Sequence, residues 1–175
     1  MGYGLYTKEL GARLYKKYED TVHMIYCAHG EDKSKESYYC HPTPFFGKCS
    51  DSTTLSFVDI ASVNRSTNLI ELMAEIEESD AEPKKIIGDI MSIILSEQVR
   101  IKREDYNYGD IVLILGRKTN PKGGAKEKTT RICQKLLPIN EKIGNKKIEL
   151  IPVFDNDLEK LITKVENEIY RKLPI

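Results

Sequence analysis

Residues Leu69 to Glu78 read Leu-Ile-Glu-Leu-Met-Ala-Glu-Ile-Glu-Glu. Ile70, Leu72, Ala74 and Ile76 share one parity, and Glu71, Met73, Glu75 and Glu77 share the other. A period of two predicts a β-strand, with the apolar set on a core and the acids on the opposite face. Glu75 and Glu77 then project side by side. Neighbouring carboxylates repel, so the strand needs a reason to carry both. Open solvent is one such reason and a divalent cation is the other.

The residues before this stretch make it half of a hairpin. Thr54 to Val63 predicts a second strand, and Asn64-Arg65-Ser66-Thr67-Asn68 has the composition of a turn. Pairing Asn64 with Ile70 sets Asp59 opposite Glu75. Pairing Val63 with Leu69 sets it opposite Met73, diagonal to Glu75. Both registers put Asp59 and Glu75 on one face, with Cβ atoms roughly 5–8 Å apart. Both carboxylates then reach one ion, because Mg²⁺ and Ca²⁺ take oxygens at about 2.0–2.6 Å. The apolar surroundings of Asp59 predict burial, and a buried acid needs a partner. The plain alternative is a solvated strand face carrying Glu71, Glu75, Glu77 and Glu78. Asp59 shifts the balance toward a metal site.

Around the hairpin the pattern alternates between helix and strand. Tyr6 to Asp20 predicts a helix, with Leu10, Leu14 and Tyr18 in one stripe and Glu9, Arg13 and Lys17 in a charged ladder. Thr21 to Tyr26 predicts the first strand. Pro83 opens a helix running to about Val99, with Ser79 or Asp80 as its cap. Ile101 to Tyr108 reads as a charged connection, and Asp110 to Leu115 as a buried parallel strand. A polar loop spans Gly116 to Gly124, and a helix follows to about Leu137. Pro138 and Gly144 mark the next link. Lys147 to Phe154 predicts a strand, and Asn156 caps a last helix.

The totals fit one α/β domain over residues 1–175, with 40% apolar residues for a core. Lysine plus arginine and aspartate plus glutamate number 27 each, so no bulk field announces a polyanionic partner. No run is long and apolar enough to span a bilayer, and the polar N-terminus does not read as a signal peptide, which favours the cytoplasm.

Residues 27–52 read as an insertion that holds Cys27, His29, Cys40, His41 and Cys49. A loop of this length is functional or tied down. In a reducing compartment such a cluster suggests a structural Zn²⁺ bound by the three thiolates and His29 or His41. Reduced thiols around an aromatic loop account for it equally well. Lys118, Lys122, Lys126, Lys128 and Arg131 form a basic cluster, read as a solvated helix face ahead of a phosphate contact. The loop there lacks the ending of a Walker motif, and the zinc-deaminase patterns are missing.

A helix, three strands closing on the acidic hairpin, a helix and a strand together resemble the PD-(D/E)xK nuclease superfamily. That is the fold of restriction endonucleases, Holliday-junction resolvases and many repair nucleases. The matching residues are Val58-Asp59 and Glu75-Ile76-Glu77. The resemblance implies a restriction endonuclease-like αβββαβ core over roughly the first 115 residues. A C-terminal αβα extension would complete a mixed sheet. It implies Mg²⁺ or Mn²⁺ held by Asp59 and Glu75, and hydrolysis of phosphodiester bonds, foremost in DNA. Glu77 stands where the family usually has a lysine, as in its Glu-x-Glu members. It would bind the ion or accept a proton from water. Lys84 or Lys85 would replace the lysine, and Glu9 would add a carboxylate. Many nucleases of this type act as homodimers. The alternative is a non-catalytic domain of the same fold, binding nucleic acid or a protein partner and carrying the structural zinc.

Overall fold

The computed structural model describes residues 4–79, 83–120, 124–143 and 146–175. Strands β1 (His23–Cys27), β3 (Ile60–Asn64) and β4 (Leu69–Glu77) form an antiparallel meander, which follows helix α1 (Leu5–Tyr18). Helix α2 (Pro83–Leu95) leads to a short β5 (Gln98–Ile101) and a long β6 (Glu104–Lys118). β6 runs parallel to β4, and β7 (Ile148–Asp155) runs parallel to β6. Helix α3 (Ala125–Ile143) connects β6 to β7, and α4 (Leu158–Lys172) follows β7. A three-residue β2 (Thr43–Phe45) pairs with β5, which in turn pairs with the first residues of β6. The fold is α/β with a mixed sheet.

Helices cover both faces of the sheet. On one face α2 and α3 bury Ile86, Ile90, Ile93, Cys133 and Leu136 against Met73, Leu113 and Leu115. On the other, α1 and α4 bury Leu10, Leu14, Leu161, Val165 and Ile169 against Leu72, Ala74 and Ile114. Gly11 brings α1 onto β1, where a Cβ would lie 2.5 Å from the Cys27 Sγ. Arg13 leaves the expected ladder and makes a two-pronged bond to Glu166 of α4, at 3.1 and 3.0 Å. Among the described residues, no helix is long and apolar enough to cross a membrane.

At the turn the hairpin has a register between the two expected ones, and past a bulge it takes the one expected from pairing Asn64 with Ile70. At the turn Asn64 faces Leu69, and Val63 faces Ile70. The ladder then shifts by one residue, so that Ser62 faces Leu72 and Ile60 faces Ala74. The extra residue is Glu71, a β-bulge. It breaks the strict parity: Ile70 joins the α2–α3 core, while Leu72, Ala74 and Ile76 join the α1–α4 core. It also removes Glu71 from the acid row. Glu71 pairs with His23 and accepts bonds from Ser62 Oγ (3.0 Å) and Asn64 Nδ2 (3.2 Å). Just beyond the ladder, Ile76 N donates to Asp59 Oδ2 at 2.8 Å, which brings Asp59 next to Glu75.

Other elements depart from the sequence reading for physical reasons. Residues 54–59 are not strand, because they lie along β2 instead, with Leu55 N donating to Pro44 O and Val58 N to Pro42 O. The charged stretch after Ile101 is a hairpin whose inward residues, Val99, Ile101 and Tyr106, are buried. Its outward Arg100 and Asp105 pair at 2.7 Å. α3 continues through Pro138, which is exposed, so the carbonyl left without a helical donor can turn to water. Asp157, and not Asn156, caps α4, through Oδ1 to Lys160 N at 3.0 Å. Ser79 spends its hydroxyl on Glu77, and Asp80 lies outside the described residues.

β7 is an edge strand. Lys147 O accepts from Ile111 N, and Asp155 O accepts from Thr119 N, so alternate residues from 147 to 155 face β6. Pro152 and Phe154 therefore face away, and Lys164 Nζ caps the Phe154 carbonyl at 3.2 Å.

Candidate active site

The parallel pair β4–β6 ends in a cleft of about 460 Å³. Ligand sites of open α/β sheets form at this carboxyl end of the strands. Glu75 and Glu77 come from β4, and Arg117 from β6, where it faces Glu77 in the ladder. Lys85 and Asp89 come from successive turns of α2. Asp59 enters from the segment before β3, with Phe57 and His29 beside it. With Glu78, which also lines it, five carboxylates share one opening with Lys85 and Arg117.

Asp59 is held at both oxygens. Oδ2 accepts from Ile76 N at 2.8 Å, and Oδ1 meets His29 Nε2 at 3.1 Å. The bond to Asp59 raises the His29 pKa against the opposing effect of burial. Glu75 is the strained member of the group. Burial pushes its carboxyl well above the usual range, and the charges of Asp59 and Asp89 push it the same way. Asp89 is raised to about 6 by burial, with Lys85 and Arg117 pulling back and Glu77 and Asp59 adding to the rise. Glu77 goes the other way. Burial would raise it, but hydrogen bonds from Lys85 and Ser79 outweigh that and lower it. Glu78, next along, turns to α1. It accepts from Gly4 N (3.2 Å), Thr7 N (3.0 Å) and Thr7 Oγ1 (2.9 Å), and so closes the first turn of that helix.

The structure brings together Asp59, Glu75, Glu77 and Lys85 of the expected set. It does not bring Lys84 or Glu9, which are exposed and line no part of the cleft. The cysteine and histidine residues are dispersed. Cys27 is buried under α1, and Cys40 is buried in the core on the opposite face of the sheet. Cys49 sits beside Gln98 and Arg100 at the β2–β5 end. His29 belongs to Asp59, and His41 lies between the rings of Tyr39 and Phe57. The insertion is tied down by main-chain bonds. Cys27 N donates to Tyr38 O, Cys40 N to Cys27 O, and β2 joins the sheet.

Among the described residues, no three His, Cys, Asp or Glu side chains converge as a ready-made metal-ligand group. In the cleft the reason is visible: Glu77 is already engaged by Lys85 and Ser79. Asp59 and Glu75 still fit a hard cation by chemistry. Both are oxygen donors, and the elevated proton affinity of Glu75 marks a place where positive charge is stabilising. Mg²⁺ needs only one or two carboxylates, with waters and phosphate oxygens completing its shell.

Sequence reasoning missed Asp89, Arg117 and the capping role of Glu78. Asp89 had a signal. It is the only acid in α2, in the otherwise apolar run Ile86-Ile87-Gly88-Asp89-Ile90, one turn after Lys85. Comparisons with protein-family models, with curated proteins and with solved structures find no match for this chain.

Proposed function

We propose that the protein is a divalent-metal-dependent nuclease that hydrolyses phosphodiester bonds in DNA, built on a restriction endonuclease-like core. The observation that carries the reading is the gathering of Asp59, Glu75, Glu77 and Asp89 with Lys85 and Arg117 at the carboxyl end of β4 and β6. The order helix, antiparallel meander, helix, parallel strand supports it, and so does the bond from Ile76 N to Asp59 Oδ2, which keeps Asp59 near Glu75.

Hydrolysis needs water deprotonated at one side of phosphorus and charge neutralised on the phosphoryl oxygens. Asp59 and Glu75 are the residues that would hold the metal. A bound Mg²⁺ or Mn²⁺ supplies Lewis acidity and lowers the pKa of water. His29 and the Ile76 N–H fix the orientation of Asp59. Asp89, raised to about 6, has the proton affinity best matched to accepting a proton from water near neutral pH. Lys85, on its helix, takes the place of the motif lysine. Its ammonium is held at the cleft by Glu77 and can meet a phosphate oxygen there.

The test is cleavage of supercoiled plasmid and of branched DNA with Mg²⁺ or Mn²⁺, by the wild type, Asp59→Ala and Glu75→Gln. The wild type is expected to cut only with metal, and both variants to lose activity by about 10²-fold or more. If the wild type cuts neither substrate, and titration finds no Mn²⁺ binding that Asp59→Ala abolishes, the reading fails.

A further inference from the structure

Three rings run from the insertion to the mouth of the cleft. Tyr39 and His41 meet edge-on at 6.2 Å between centroids, and His41 and Phe57 at 5.6 Å. Phe57 is 63% exposed and lines the cleft beside Asp59 and His29. His41 is exposed too, and Tyr39 is half-buried. The row is built, not incidental. Val58 N donates to Pro42 O at 2.9 Å, which holds the Phe57 segment against the His41 segment. Tyr39 lies on Gly30, where a Cβ would fall 2.6 Å from its ring. Lys33 Nζ stands over the Tyr39 ring, 5.1 Å from its centroid, and covers that face with positive charge. Burial, with the charges of Lys33 and His29, lowers the His41 pKa and so favours the uncharged ring.

A single exposed aromatic is ordinary. Three in edge contact, ending at a candidate nuclease cleft, form a continuous surface. Duplex binding draws its affinity from many phosphate contacts, and equal totals of 27 acidic and 27 basic residues provide no bulk field for them. Base stacking needs no such field, but it needs bases whose faces are free. We infer that His41 and Phe57, backed by Tyr39, are a stacking platform for the bases of an unpaired strand, which they lead into the acidic cleft. The inference rests on the nuclease reading and names the form of its substrate: single-stranded, frayed or branched nucleic acid.

The chain contains no tryptophan, so Phe57→Trp installs a single fluorescent reporter. Binding is measured in EDTA, where cleavage is suppressed, with oligo(dT), oligo(rU) and a blunt duplex of equal length. Unpaired strands are expected to quench the new tryptophan and to bind more tightly than the duplex. Phe57→Ala, checked for native thermal unfolding, should weaken unpaired-strand binding about 10-fold and leave duplex binding unchanged. His41→Ala should act in the same direction. Quenching by only one of the two oligonucleotides assigns the platform to that nucleic acid. No quenching, equal binding by Phe57→Ala and wild type, or preference for duplex overturns the platform. Cleavage without quenching removes the platform and leaves the nuclease reading. Quenching without cleavage supports the platform and removes the nuclease.

Discussion

Replacing Asp89 by asparagine should make the protein more stable and less active. The side chain keeps its shape and loses its charge. In the folded chain the Asp89 carboxyl is raised from 3.8 to about 6, chiefly by burial. That difference corresponds to about 3 kcal/mol, and solvent screening of this half-buried group reduces it to about 1–2 kcal/mol. The sign follows from linkage. A carboxyl whose folded pKa lies above its unfolded value imposes no penalty below pH 4. Stability is lost as pH rises through about 6, where the folded state must ionise a group that the unfolded state ionises freely. Asp89→Asn removes that penalty. At pH 7.5 the variant should melt about 2–6 °C above the wild type, and at pH 4 the two should coincide. Thermal unfolding by circular dichroism at both pH values reads the difference. DNA cleavage should fall by about 10²-fold or more if Asp89 takes the proton of water. A variant that melts below the wild type at pH 7.5, or shows the same gain at both pH values, refutes the electrostatic account of the cleft.

Three further expectations concern its surroundings. Lys85→Ala should cut turnover by about 10²-fold, whereas Lys84→Ala, on the exposed side of the same helix, should leave it unchanged; equal effects would count against Lys85 as the motif lysine. Glu78→Ala should destabilise the fold by about 1–2 kcal/mol, since it leaves the first turn of α1 without its acceptor; chemical denaturation measures this, and an unchanged midpoint would contradict it. A thiol reagent should modify Cys49 first in the native protein, because Cys27, Cys40 and Cys133 are buried; rapid modification of all four would mean that the insertion is not tied down as described.

The acidic strand was legible because burial and charge alternate in it with a period that only a strand has. Asp59 was placed beside Glu75 from spacing alone, and the bulge at Glu71 shifted the register without separating them. The helices were legible from their apolar stripes. Their ends were not, since Pro138 on an exposed face can remain inside α3 where a buried proline could not. β2 and β5 are not legible in the sequence, because a three-residue strand carries no period and because charged outward residues mask Val99 and Ile101. The cysteines misled for a related reason. Nearness in sequence says nothing about which face of a sheet a residue takes, and Cys27 and Cys40, adjacent through main-chain bonds, end in separate cores. Asp89 stands out in the sequence as a lone acid in an apolar helix, but its role comes from what lies across the cleft, which the helix alone does not show.

The proline in β7 has a consequence for assembly. A sheet that ends in a bare strand invites a second chain to add its own. Here an incoming strand would meet no donor at Pro152 and a carbonyl already taken by Lys164 at Phe154. Those two positions act as a stopper against sheet-to-sheet growth. Two copies of this chain that do associate would therefore not do so by pairing β7 with β7, and the carboxyl end of β7, beside the cleft, is not lengthened by an added strand.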